Sequence, residues 1–244
     1  MELEIALIIV GALIAVVGFV SLIVSLWLTV KYYSFNRREN SLGLTGIEVA
    51  RKILDMNGLQ DIKVKRNGSL FFGNSYSHYF KVVRLREFIR HQTSITSMGL
   101  GAQKAALALL DKEDDPDMRK RIRLVPIITF GPFAFIPLIT IGFLIDYFLL
   151  GGSGICTIIL GALGLLFYTY SVVLSVLTLK TEKKAQERAY EILQNSFNVT
   201  EEELSALKEL FRLYNIQYIN DIVLSSLELL STVIKILIAI KGDD

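Results

Sequence analysis

Residues Gly43 to Val64 read GLTGIEVARKILDMNGLQDIKV, and they open a folded domain. Thr45 with Glu48 three positions on is a capping box, which satisfies two orphan amides at a helix start. Ile47, Ala50, Ile53 and Leu54 recur on one helical face, so the spacing predicts an amphipathic helix through Leu54. Asn57-Gly58 ends it, because both residues tolerate the left-handed conformation needed there. Asp61 to Arg66 alternates as a strand. Asn67-Gly68 is a two-residue hairpin signal, with Ser69 to Phe72 returning. Lys81 to Leu85 predicts a further strand. These residues alone specify a small α+β fold and no chemistry.

The rest of the chain is far more apolar. Of 244 residues, 52% are hydrophobic and 20% charged, and the mean hydropathy of +0.47 exceeds that of an ordinary soluble domain. Ile5 to Val30 carries no charge and is long enough to cross a hydrocarbon core of about 30 Å. Glu2 and Glu4 precede it and no basic stretch does, so it does not read as a cleaved signal peptide. Leu124 to Leu150, interrupted by Pro126, Pro132 and Pro137, predicts a second span. Ile155 to Leu179 predicts a third, joined to the second through Gly151-Gly152-Ser153-Gly154. Ile219 to Ile240 is a fourth candidate, weakened by Asp221, Glu228 and Lys235, with an interfacial amphipathic helix as its alternative.

Basic residues set the expected orientation. Lys31, Arg37 and Arg38 follow the first span; Arg119, Lys120, Arg121 and Arg123 precede the second; Lys180, Lys183, Lys184 and Arg188 follow the third. The positive-inside rule puts all three groups in the cytoplasm and the N-terminus outside. The expected organisation is an N-terminal transmembrane helix over 1–30, a cytoplasmic α+β domain over 31–123 and a transmembrane hairpin over 124–179. Cytoplasmic helices over 180–218 and a C-terminal transmembrane or interfacial helix over 219–244 complete it. The net charge of +2 and the lack of interleaved basic and aromatic motifs argue against a nucleic-acid partner. The single cysteine, Cys156, excludes an internal disulfide framework.

The opening stretch, the apolar segment before it and the later hairpin of spans together resemble the membrane-bound neutral zinc metallopeptidase (YugP-like) family. Ser77-His78-Tyr79 and Val82-Val83-Arg84-Leu85 match the family's strand region, and the metal-binding helix should then run from near Ser94 through Leu110. The resemblance implies a mainly α integral membrane protein of about four transmembrane helices with a small α+β, zincin-like cytoplasmic domain. It also implies a bacterial-type plasma membrane.

Family members carry H-E-x-x-H on that helix, where two imidazoles four residues apart bind zinc and the glutamate handles the water proton. Here the stretch reads Gln103-Lys104-Ala105-Ala106-Leu107. An amide oxygen is a poor zinc donor, leucine donates nothing, and the lysine would repel the cation. Glu182, in Thr181-Glu182-Lys183-Lys184, matches the position from which the family supplies a carboxylate ligand. From the residues alone Glu182 would be a solvated helix residue. With the resemblance, Lys104 and Glu182 should project into the same former site and form a salt bridge where zinc was.

No metal is therefore expected. The alternative is a rearranged zinc site built from His78, His91 and Glu182, the two histidines being all the chain has. No nucleophile elbow, P-loop or dinucleotide fingerprint replaces the lost motif. The acidic run Asp111 to Asp117 reads as a solvated loop, without the ligand spacing of an EF-hand. The expected function is that of a catalytically inactive, membrane-anchored metallopeptidase homologue that binds or regulates a peptide, a protease or a membrane partner. The partner could be a membrane protease, another membrane protein or a second copy of the chain. An active membrane metallopeptidase with a non-standard metal site is the alternative.

Overall fold

The computed structural model describes residues 2–68 and 73–242, with side chains for all of these except 125–133 and 239–242. In chain order the elements are α1 (Glu2–Asn36), α2 (Gly46–Met56), β1 (Lys63–Arg66), β2 (Ser75–Ser77) and β3 (Val82–Leu85). There follow α3 (Glu87–Arg90), α4 (Ile95–Lys112), α5 (Pro116–Leu149), α6 (Ile155–Ser196) and α7 (Glu201–Gly242). They form two compact units, one of 1–22, 123–178 and 218–244, the other of 23–122 and 179–217.

The second unit is built around α4. Thr45 caps α2 through the full capping box with Glu48, and Ser94 caps α4 by accepting the Ser97 amide at 3.1 Å. Every residue of α4 from Ile95 to Leu110 is buried, so this helix is the core's axis rather than a one-faced surface helix. Gly46 and Gly101 let α2 and α4 touch at the backbone, since a Cβ on Gly101 would collide with the Gly46 carbonyl. Val49, Ile53, Leu54, Leu193, Leu204 and Leu207 close the core around it.

The sheet is three-stranded in the order β1-β3-β2. β1 pairs with β3 in parallel, Lys63 opposite Val82, and β2 pairs with β3 antiparallel, Ser75 opposite Arg84. β3 is buried at Val82, Val83 and Leu85, as its central place requires. The return strand expected over Ser69 to Phe72 lies outside the described residues.

In the first unit a glycine turn joins α5 to α6, with Gly151, Gly152 and Gly154 all at positive φ. Asp146 closes it by accepting from Ser153 Oγ at 2.9 Å and from the Cys156 and Thr157 amides at 3.1 and 2.7 Å. It thereby caps α6.

The expectation of about four transmembrane helices does not stand. Two described helices are long and apolar enough to cross a membrane, Glu2–Asn36 and Ile155–Ser196, with a shorter apolar stretch at Ala134–Leu149. The described residues therefore support two spans, not four. The chain is mostly helical, with one small sheet beside the core.

Candidate functional site

Helix α4 presents Gln103 and Lys104 on adjacent positions, and both reach the same carboxylate of α6. Gln103 Nε2 donates to Glu182 Oε2 at 2.9 Å, and Lys104 Nζ donates to the same oxygen at 2.8 Å. Arg121 from α5 donates through Nη2 to Glu182 Oε1 at 2.9 Å. The three charged side chains are 11–17% exposed, so this is a nearly sealed centre of two cations, one anion and an amide. Leu107, the remaining motif position, is fully buried among apolar neighbours.

The start of α5 brings Arg121 there. Pro116 occupies the first helical turn, where its missing N–H costs nothing, and Asp115 accepts from the Asp117 and Met118 amides at 2.9 Å. The acidic run is exposed from Lys112 to Asp114, as a solvated loop would be, but its carboxylates are engaged by α6. Lys184 of α6 meets Asp115 at 2.8 Å and Asp117 at 2.6 Å, Lys180 meets Asp117 at 3.1 Å, and Arg188 meets Glu113 at 2.8 Å. This ladder fixes α5 against α6 and sets Arg121 opposite Glu182. Burial pushes the Glu182 carboxyl up, but Lys104 and Arg121 pull it further, so it is held below the usual glutamate range.

Zinc does not fit this donor set. A metal would need Glu182 freed from three donors and would sit beside an ammonium and a guanidinium, while Gln103 and Leu107 offer no good ligand. The histidines do not supply an alternative. His78 Nδ1 lies 2.7 Å from Asp111 Oδ2, and His91 Nε2 lies 3.4 Å from Glu87. Among the described residues no three His, Cys, Asp or Glu side chains gather as a metal site would require, so His78, His91 and Glu182 are not brought together.

Asp111 was read only as part of an acidic loop, yet it ends α4 with a second polar cluster. Tyr76 donates its phenol to Asp111 Oδ2 at 2.5 Å, beside His78. Tyr76 lies in β2 and His78 just past it, so the cluster pins the edge strand to α4.

Three neighbouring positions of α4 are thus buried, and two of them meet a carboxylate that arrives from α6. The chain belongs to the family described as "Putative neutral zinc metallopeptidase", which it matches over residues 8–237. It is also similar to "Putative membrane protease YugP" of Bacillus subtilis (strain 168), at 27% identity over 214 residues, covering 87% of this chain and 88% of that protein. No solved structure matches it.

Proposed function

We propose that this zinc-metallopeptidase-family chain is a membrane-anchored pseudopeptidase that acts by binding or regulating a peptide, a protease or another membrane protein. One observation carries the reading: the carboxylate at the family's ligand position is already satisfied by Lys104, Arg121 and Gln103. The lysine and arginine replace the dication as countercharge. Two apolar helices of spanning length support the anchor, and the similar protein's name places that relative at a membrane. Lys31, Arg37 and Arg38 after the apolar part of α1, and Lys180 to Arg188 after the apolar part of α6, favour a cytoplasmic position for the α4 domain, at a bacterial-type plasma membrane.

The test is zinc per chain by elemental mass spectrometry, on full-length protein purified in detergent without a histidine tag. The expected result is near zero, even after incubation with zinc. About one zinc per chain, lost on replacing Glu182, would overturn the reading in favour of an active metallopeptidase with a non-standard site. The triple change Gln103→His, Lys104→Glu and Leu107→His then asks how much of the old site persists. Because Arg121 remains against Glu182, this variant is expected to gain little zinc unless Arg121 is also replaced.

A further inference from the structure

Beside the Asp111 cluster lies a cavity of about 210 Å³, and it shares no residue with the Glu182 centre. That volume suits a small molecule rather than a folded segment. Its apolar wall is Leu59, Ile62 and Ala108. Of its charged lining, Asp61 and Lys81 neutralise each other at 2.6 Å. Two groups are left with spare capacity. Both described bonds to Asp111 fall on Oδ2, so Oδ1 has no donor among the described residues. Lys112 Nζ donates to the Asn57 carbonyl at 2.5 Å, past Gly58, and no carboxylate meets it among the described residues.

A simple anion in this cavity would face Asp111, and a simple cation would face Lys112. A ligand carrying both charges complements both, with an apolar side chain for the apolar wall. We propose that the cavity binds a small zwitterion, a free apolar α-amino acid, with its ammonium on Asp111 and its carboxylate on Lys112. Tyr76 and His78 hold the Asp111 carboxylate in place from its other oxygen, which makes them positioning residues. The Glu182 centre takes no part, so zinc content and this binding vary independently.

Equilibrium dialysis of the full-length protein in detergent against radiolabelled L-leucine tests the assignment. Saturable binding of about one leucine per chain is expected, as is competition at least about tenfold weaker from N-acetyl-leucine, which lacks the ammonium, and from leucinamide, which lacks the carboxylate. Asp111→Asn and Lys112→Met should each weaken binding by about tenfold or more. Lys112 is exposed at the end of α4, so its variant stays folded if replacing Asp111 loosens the domain. Absence of saturable binding, equal competition by N-acetyl-leucine, or unchanged binding in Lys112→Met would each overturn the proposal. Competition by leucyl-leucine as strong as by leucine would overturn the free amino acid in favour of a peptide end.

Discussion

Two carboxylates mark helix α4, Glu182 reaching it from α6 and Asp111 its own, and they are held in opposite ways. Glu182 is gripped by two cations and an amide in a nearly sealed centre, whereas Asp111 is gripped on one oxygen by a phenol and an imidazole at the edge of an open cavity. A buried anion with full countercharge has no capacity left for a ligand. A carboxylate held through one oxygen leaves the other to face the cavity. The difference is between a charge fully met inside the fold and one met on a single oxygen beside a cavity.

The largest expected effect comes from removing the sealed anion. Glu182→Ala strands Lys104 and Arg121 together, and such uncompensated burial costs about 3–5 kcal/mol. Asp111→Ala leaves a phenol and a half-exposed imidazole that water can reach, and should cost about 1–3 kcal/mol. Urea denaturation of both variants measures the difference. Equal losses would break the distinction between the two centres. Lys104→Met should fall below Glu182→Ala, because Arg121 and Gln103 still hold the carboxylate.

Packing should show the same contrast along α4. Gly101→Val drives a side chain into the Gly46 backbone, which cannot retreat as a flexible side chain would, and should cost about 1–3 kcal/mol or more. Ala108→Val places its extra carbons at a residue lining the cavity, and should cost less. The reverse order in melting temperature would mean that the Asp111 end of α4 is packed as tightly as its middle.

Acid should report on the Glu182 centre as well. Glu182 in the folded chain lies below its ordinary value of 4.5, so its contribution is full above that pH and is lost as pH falls through the lower folded value. Burial pushes Glu203 and Asp115 up, but Ser41 and Thr200 hold the first low and Lys184 the second, while Lys184 and Lys180 hold Asp117 low. The wild-type protein should therefore lose stability in steps below that pH. Subtracting the stability curve of Glu182→Gln isolates the Glu182 share, and a difference independent of pH would refute it.

Local signals in the sequence proved sufficient for local structure. The spacing of Thr45 and Glu48 specified a cap and Asn57-Gly58 specified a stop, whereas the start of α4 near Ser94 came from the family resemblance. Partners across the fold were harder to read. Arg121 looked like one more basic residue setting membrane orientation, because nothing in its neighbours says that it faces a carboxylate 61 positions later. The run Asp111 to Asp117 looked solvated for the same reason, although Lys180, Lys184 and Arg188 recur at helical spacing opposite it. Hydropathy erred in the other direction. It scored four segments as spans, whereas two of the described helices are long and apolar enough to cross a membrane.

The smallest effect is also the most selective. Tyr76→Phe removes one hydroxyl and keeps the ring between β2 and α4. Burial and the Asp111 carboxylate push the Tyr76 phenol upward, so it remains a donor throughout the physiological range. Losing one donor of two should cost about 1 kcal/mol in stability. The freed Asp111 Oδ2 can then turn toward the cavity, and its geometry for an ammonium is no longer fixed. Leucine binding should weaken in Tyr76→Phe while the Glu182 share of the acid profile stays unchanged. If the acid profile moved with it, the two ends of α4 would be one coupled polar network, and the contrast between a sealed centre and an open one would fail.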